Sequence, residues 1–245
     1  MSENFKLDHG VSVAWLGSYP GASVNGPGRG VYHLVRAFKH LTGHARHQYR
    51  ISRQSGLETR NLKQALKWFG SVCALILEIE NPTTPVVFVP IPDSNCVIGE
   101  STIPRARRLA DAIVANTRIS AVVCDSLRWK HRLVPSHLRG TREPERLYRD
   151  LKVICLPQSG TIILVDDVVT TGAHILAASA KLESAAHVSC SRAICVARTE
   201  PAGGLPFAIR QASILPSPHS AMDSVVVFYF RTQAKAPLPM DSVVS

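Results

Sequence analysis

Residues 161–174, Thr-Ile-Ile-Leu-Val-Asp-Asp-Val-Val-Thr-Thr-Gly-Ala-His, decide the fold. Residues 161–165 are a short apolar run rich in β-branched side chains, which is typical of a strand buried on both faces of a parallel sheet. Asp166 and Asp167 follow this run directly. The sequence therefore predicts two adjacent carboxylates at the carboxyl end of a buried strand.

The residues after the two acids predict a phosphate-binding turn. Thr170, Thr171 and Gly172 make a small polar turn, and apolar side chains recur at helical spacing over residues 173–186. The turn thus precedes a helix amino terminus, where unpaired backbone N–H groups and the helix dipole favour a phosphate. Carboxylates accept hydrogen bonds from vicinal hydroxyls, so the combination suits a phosphorylated ribose.

The same stretch resembles the 5-phosphoribosyl diphosphate (PRPP) signature of the type I phosphoribosyltransferases. The match covers residues 162–172: four apolar residues, two acids, a spacer and Thr-Gly. His174 stands where the family signature usually has Thr or Ser. The resemblance implies Mg²⁺ as the cofactor, held by Asp166 and Asp167 directly or through its water shell. It implies PRPP binding by Asp166, Asp167, Val168, Val169, Thr170, Thr171, Gly172, Ala173 and His174.

A second loop follows the apolar run at residues 86–89. It reads Pro90-Ile-Pro-Asp-Ser-Asn95 and resembles the family's diphosphate-binding loop, so Asp93 and Ser94 would border the diphosphate. Proline has no backbone N–H, so only the residues after Pro92 could donate. The alternative is a rigid strand-to-helix turn that binds no ligand.

The most basic segment, residues 128–149, precedes the signature. The resemblance implies a loop that closes over PRPP, in which Arg132 and Arg139 neutralise the departing diphosphate. The residues alone leave another interpretation open, a short amphipathic helix at 144–151 surrounded by arginines that contact a protein or nucleic acid phosphates.

Strand-like and helical patterns alternate along the chain, which predicts an α/β fold with a doubly wound, mainly parallel sheet. The resemblance places a phosphoribosyltransferase-like core at residues 81–200. A small hood that recognises the acceptor would come from residues 1–80, which otherwise pack on the core, from the β-rich residues 201–245, or from both. We expect strands at 11–16, 86–89, 120–124, 152–155 and 191–197, and helices at 31–41, 57–80 and 105–116.

Composition restricts the class of protein. The net charge of +10 favours polyanionic ligands, and PRPP and nucleic acid both qualify. Six cysteines without a C-x-x-C pair predict buried, reduced thiols and exclude a zinc ribbon. The sequence has neither a membrane-spanning apolar run nor a signal-peptide pattern, so we expect a cytoplasmic protein without membrane contact. A homo-oligomer is compatible with these features.

The leading functional prediction is PRPP-dependent transfer of a phosphoribosyl group to a nitrogenous base or related acceptor, with release of diphosphate. Asp166, Asp167, Arg132 and Arg139 are the predicted catalytic residues. A second hypothesis is a non-catalytic regulatory or partner protein that keeps the PRPP or nucleotide pocket. A third, a phosphate-receiving switch domain, needs a further aspartate and a lysine at strand ends, which the sequence does not place convincingly.

Overall fold

A computed structural model describes residues 5–19, 29–40, 47–50, 56–59, 62–134, 140–200, 209–216 and 225–226. The strands are β1 (Val11–Tyr19), β2 (His47–Arg50), β3 (Gly56–Thr59), β4 (Val86–Pro90), β5 (Ala121–Val123), β6 (Leu127–Trp129), β7 (Leu151–Val153), β8 (Thr161–Val169), β9 (Arg192–Thr199), β10 (Arg210–Ile214) and β11 (Val225–Val226). The helices are α1 (Arg29–His40), α2 (Leu62–Glu80), α3 (Arg105–Val114), α4 (Pro144–Asp150) and α5 (Ala173–Ala186).

The main sheet has seven strands in the order β11-β10-β1-β9-β8-β4-β5. Strands β1, β9, β8, β4 and β5 are parallel, and β10 and β11 extend one edge in antiparallel pairing. The pairs β2-β3 and β6-β7 form separate antiparallel ribbons. The prediction of an α/β fold with a mainly parallel sheet is confirmed. The main sheet includes β1 and β10 from the terminal regions, and the hood stays a prediction.

Two apolar cores cover the two faces of this sheet. Leu164 of β8 packs with Leu147 of α4 and Leu176 of α5 in one core. Val165, the next residue, packs in the other core, which also contains side chains from α1, α2 and α3. Successive strand residues point to opposite faces, so a strand covered on both sides needs a continuous apolar run. This burial explains the composition of residues 161–165.

The helices that follow β4 and β8 lie on opposite faces of the sheet. Helix α3, which follows β4, packs in one core, whereas α5, which follows β8, packs in the other. Because β4 and β8 are parallel neighbours, their carboxyl ends flank a topological switch point. Open α/β sheets bind their ligands in the crevice at such a point.

Several element predictions need correction. The helix predicted at 57–80 begins at Leu62, because residues 56–59 form β3 and pair with β2. The core strand predicted at 120–124 is the three-residue edge strand β5, in which Val122 is 44% exposed. Strand β8 continues through both acids to Val169 instead of ending before them. The basic segment contains the short helix α4, as the alternative interpretation proposed.

None of the described helices combines the length and the apolar character needed to cross a membrane.

Candidate ligand site at the switch point of the sheet

Asp166 and Asp167 lie where β8 loses one of its two neighbours. Pairing between β4 and β8 ends at Pro90 and Val165, and the next residue, Ile91, still donates its N–H to the Val165 carbonyl at 2.9 Å. Pairing between β8 and β9 continues to Val169. The acids are thus held by β9 on one side and face the loop after β4 on the other. This explains why they lie inside the strand and still border the switch point.

The two carboxylates are close and differ in their surroundings. The backbone N–H of Asp167 donates to Asp166 Oδ1 at 2.8 Å. Burial, followed by the charge of Asp167, raises the pKa of Asp166 well above its usual range, and the positive charges of Lys39 and Arg105 oppose this shift. Asp167 Oδ2 is buried and has no hydrogen-bond partner among the described residues. Buried polar atoms are nearly always paired, so this oxygen is a candidate contact for a ligand.

The predicted phosphate turn lies directly after β8. Gly172 has a φ of 82°, a left-handed conformation that favours glycine, and it precedes the first residue of α5 without a side-chain cap. Thr170 and Thr171 are exposed, and Thr170 Oγ1 lies 3.1 Å from Thr199 Oγ1 at the end of β9. The side chain of Val169 is buried in the core, so this residue could offer a ligand only its backbone.

Arg198 adds a cation beside the turn. It pairs with Val169 across β8 and β9, and its guanidinium lies 5.3 Å from the ring of Trp15. Its Nε is buried without a hydrogen-bond partner among the described residues. Burial lowers the pKa of this guanidinium, and the charge of Glu200 opposes that effect.

His174, in the first turn of α5, packs against an aromatic side chain instead of facing outward. Its ring lies edge-on to Trp129, with centroids 5.8 Å apart and planes at 77°. Burial lowers the pKa of the imidazole, and the charge of Asp167 partly offsets that shift. The lowered pKa favours the neutral form of the ring.

Asp93 organises its own loop. Its Oδ2 accepts a hydrogen bond from the N–H of Arg105 at 3.3 Å and lies 3.6 Å from Arg105 Nε. Its Oδ1 accepts from the N–H of Asn95 at 3.2 Å, and the Ser94 carbonyl accepts from the N–H of Leu133 at 3.0 Å. The Asp93 carboxylate thus anchors the start of α3.

The cations of the basic segment have different environments. Arg128 is buried and makes a two-point ion pair with Asp125, at 2.5 and 2.8 Å. Arg132 is exposed and lies 3.2 Å from a carboxylate oxygen of Glu100. Arg139 lies outside the described residues. Of the two arginines predicted to be catalytic, Arg132 is thus held at the surface by an acidic partner.

Sequence reasoning missed a group of side chains from β1 and α1. The rings of Tyr19 and Tyr32 stack with centroids 5.8 Å apart, and Arg36 donates to the Tyr32 hydroxyl at 3.1 Å. Lys39 Nζ lies 5.7 Å from the Tyr19 ring centroid, and its charge acts on Asp166. Positions 32, 36 and 39 share one face of α1, opposite its buried apolar face. The spacing of these three residues in the sequence predicts that they share a helix face. Only the strand order shows that this face of α1 lies near Asp166 and Asp167.

The acid pair suits a magnesium ion that is shared with a substrate. Among the residues that the structure describes, no group of three or more His, Cys, Asp or Glu side chains could hold a metal ion. Mg²⁺ commonly binds through one or two carboxylates and completes its shell with water and substrate phosphates. The unpaired Oδ2 of Asp167, beside Asp166, fits that mode of binding.

Two clefts lie away from the acid pair. One, of about 160 Å³, has mainly apolar walls near the amino ends of the strands and includes Ala14, Ile76 and Ile163. The other, of about 380 Å³, is polar and includes His9 and Glu183. Neither combines paired acids with a phosphate turn. The acid pair and the polar turn that follows it lie instead at the switch point between β4 and β8.

No protein-family model matches this chain. No curated protein is significantly similar to it.

Proposed function

We propose that this protein binds PRPP with Mg²⁺ and transfers the phosphoribosyl group to a nitrogenous base or related acceptor, releasing diphosphate. The observation that carries the proposal is the buried, unpaired Oδ2 of Asp167 at the switch point between β4 and β8. An acidic pair followed by a phosphate turn matches the two ends of ribose 5-phosphate. The basic residues nearby suit a polyanionic substrate.

The ribose would lie over the acid pair. Asp167 Oδ2 accepts a hydrogen bond from a ribose hydroxyl and so acquires the partner that it lacks among the described residues. The N–H groups at the start of α5 bind the 5′-phosphate, and the exposed hydroxyls of Thr170 and Thr171 lie beside them. Bound at both ends, the ribose is oriented for attack at C1.

The raised pKa of Asp166 suits proton exchange. Burial and the charge of Asp167 favour its protonated form, whereas Lys39 and Arg105 favour its carboxylate. A carboxyl with a raised pKa can accept the proton that a nitrogen nucleophile releases. Mg²⁺, when bound, would neutralise charge on the diphosphate. Asp166 is therefore the better candidate for the general base, and Asp167 for the ribose contact.

Calorimetric titration of PRPP in the presence of Mg²⁺ tests the proposal. We expect saturable binding to the wild-type protein and no measurable binding to a variant that carries Asp166→Asn and Asp167→Asn. Asp111→Asn is a matched control, because Asp111 pairs with Arg107 within the surface of α3. Unchanged binding in the double variant would contradict the proposal.

A binding protein without transferase activity is the second candidate. Two observations favour it: the Asp93 carboxylate is used within its own loop, and Arg132 pairs with Glu100. Both reduce the number of groups ready to stabilise a departing diphosphate. Diphosphate release from PRPP, measured with and without purine, pyrimidine and nicotinate acceptors, separates the two functions. PRPP binding without release under every condition would identify the binding protein.

A further inference from the structure

Two cysteine thiols that the proposed function does not use lie side by side. Cys124 follows the edge strand β5, Cys155 lies just after β7, and their Sγ atoms are 3.8 Å apart. Cys155 is exposed and Cys124 is partly exposed, whereas the other four cysteines are buried. The sequence-based prediction that the thiols are buried is therefore wrong for this pair.

Backbone pairing brings the two cysteines together. The β6-β7 ladder ends with Leu127 opposite Val153, and the N–H of Ile154 extends it by donating to the Ser126 carbonyl at 2.8 Å. The next opposed positions are 125 and 155, so Cys155 faces Asp125, the residue that follows Cys124 in the chain. Cys155 Sγ accordingly donates to the Asp125 carbonyl at 3.6 Å. The register thus brings residue 155 beside the segment 124–125, and the side chains of the two cysteines meet there with their sulfur atoms 3.8 Å apart.

A disulfide between these cysteines requires little movement. The bond length is about 2.05 Å, so the sulfur atoms need to approach each other by roughly 1.8 Å. Cys124 follows the end of β5, and Cys155 lies in an irregular segment after β7. Neither backbone is held there by continuous strand pairing on both sides, so a small adjustment can close the gap.

We propose that Cys124 and Cys155 are a redox-sensitive pair that forms a reversible intramolecular disulfide with a peroxide or a small-molecule disulfide. The exposed Cys155 reacts first: its thiolate attacks a peroxide oxygen, the O–O bond breaks, and sulfenic acid and water form. The Cys124 thiolate then attacks the Cys155 sulfur, the S–S bond forms, and a second water leaves. Hydrogen peroxide accepts the two electrons and two protons that the thiols lose.

Oxidised glutathione supports the same net reaction. Cys155 forms a mixed disulfide and releases one glutathione thiol, and Cys124 then displaces the second.

Burial is the largest cause that raises the pKa of Cys124, and the hydrogen bond with Ser126 opposes it. Because the thiolate is the nucleophile, a raised pKa disfavours Cys124 as the first attacking group, which agrees with its role in the second step.

The bond would connect two parts of the molecule. Cys124 belongs to the edge of the main sheet, and Cys155 to the base of the β6-β7 ribbon that flanks the basic segment at residues 128–149. A disulfide between them lowers the conformational entropy of the unfolded state and links the ribbon covalently to the sheet. The oxidised protein should therefore unfold at a higher temperature than the reduced protein.

Peptide mapping of the full-length protein tests the proposal. After treatment with hydrogen peroxide or oxidised glutathione, we expect one cross-linked peptide pair that contains Cys124 and Cys155, with a mass lower by two hydrogens. Dithiothreitol should restore both thiols. The product should migrate as a monomer on a non-reducing gel, and its yield should not depend on protein concentration.

Single substitutions separate this pair from the other thiols. Cys155→Ser lies at an exposed position and should fold, and it should abolish the cross-link and the oxidation-dependent rise in Tm. Cys96→Ala removes a buried thiol outside the pair and should retain both. The proposal is overturned if wild-type Cys124 keeps a free thiol after Cys155 is oxidised, if other cysteines form the bond, or if only intermolecular links appear. None of these measurements involves PRPP, so the result is independent of the proposed function.

Discussion

The surroundings of Asp166 disfavour the charged form of its carboxyl group. Burial and the neighbouring Asp167 both raise its pKa, and the more distant Lys39 and Arg105 only partly compensate. A cationic ligand at the acid pair would reverse that balance. Such an arrangement suits a binding site better than a structural ion pair, since a structural pair would supply its own counter-charge.

Asp166→Asn should stabilise the unliganded protein. The folded-state pKa is raised above the unfolded value of about 3.9. The folded state then holds the proton more tightly, so stability is lost as pH rises from about 3.9 through the folded pKa. Asparagine resembles the protonated acid and keeps an oxygen for the Asp167 N–H. At neutral pH we expect a gain on the order of 1 kcal/mol in the free energy of unfolding, measured by urea denaturation.

The pH dependence provides the control for this prediction. The difference in unfolding free energy between Asp166→Asn and wild type should be small near pH 4 and should grow toward pH 8. Asp111→Asn, whose acid lies at the surface of α3, should show no such growth. A difference that stays constant across this range would mean that the Asp166 carboxyl is not responsible.

At the scale of elements, the β6-β7 ribbon positions the loop that follows β4. The N–H of Trp129 donates to the Cys96 carbonyl at 2.9 Å, and the Trp129 carbonyl accepts from Ile98 at 3.0 Å. The indole N–H of Trp129 also donates to the Pro92 carbonyl at 3.1 Å. The described part of the basic segment thus includes an ordered support for the predicted diphosphate loop.

Trp129→Phe should destabilise the protein by roughly 1–3 kcal/mol, because the buried Pro92 carbonyl loses its hydrogen bond to the indole. Trp15→Phe is a matched control, since Trp15 is also fully buried but its Nε1 has no hydrogen-bond partner among the described residues. Urea denaturation of both variants measures the difference. Equal losses would show that ring volume, and not the hydrogen bond, accounts for the effect.

The predicted boundaries of an element agree with the structure where the local sequence pattern marks them clearly. Helix α5 spans residues 173–186 as predicted, because apolar periodicity and a preceding Gly172 both mark its start. The helix prediction was wrong for residues 57–59, which belong to β3 and pair with β2, a contact that periodicity along one segment does not encode. Strand β8 was longer than predicted because β9 continues to pair with it beyond the apolar run.

At the scale of the whole molecule, part of the positive charge is paired with acidic side chains of the same chain. The net charge is +10, yet Arg128 and Arg132 both have acidic partners within the chain. Arg142 is exposed in the basic segment, and Arg139 lies outside the described residues. A polyanion that binds this segment would contact Arg142 more readily than Arg128, because Arg128 is buried with Asp125.

Substituting Arg139 and Arg142 with alanine should lower the salt concentration at which the protein elutes from heparin. Each cation that contacts a polyanion releases counterions, so clustered cations dominate the salt dependence. The control is the double substitution Arg107→Ala and Arg108→Ala, which removes the same charge from α3. Equal shifts for the two variants would indicate a response to net charge and no specific role for the basic segment.

The sequence by itself determined the start of strand β8, the acid pair, the polar turn and the helix that follows it, because neighbouring residues suffice to specify each of them. It also determined the alternation of elements that leads to an α/β fold. Tertiary structure alone decided that the charges of Lys39 and Arg105 act on Asp166, that Trp129 contacts His174, and that Cys124 meets Cys155. These contacts depend on strand order and register, which join residues far apart in the chain and leave no local periodic signal.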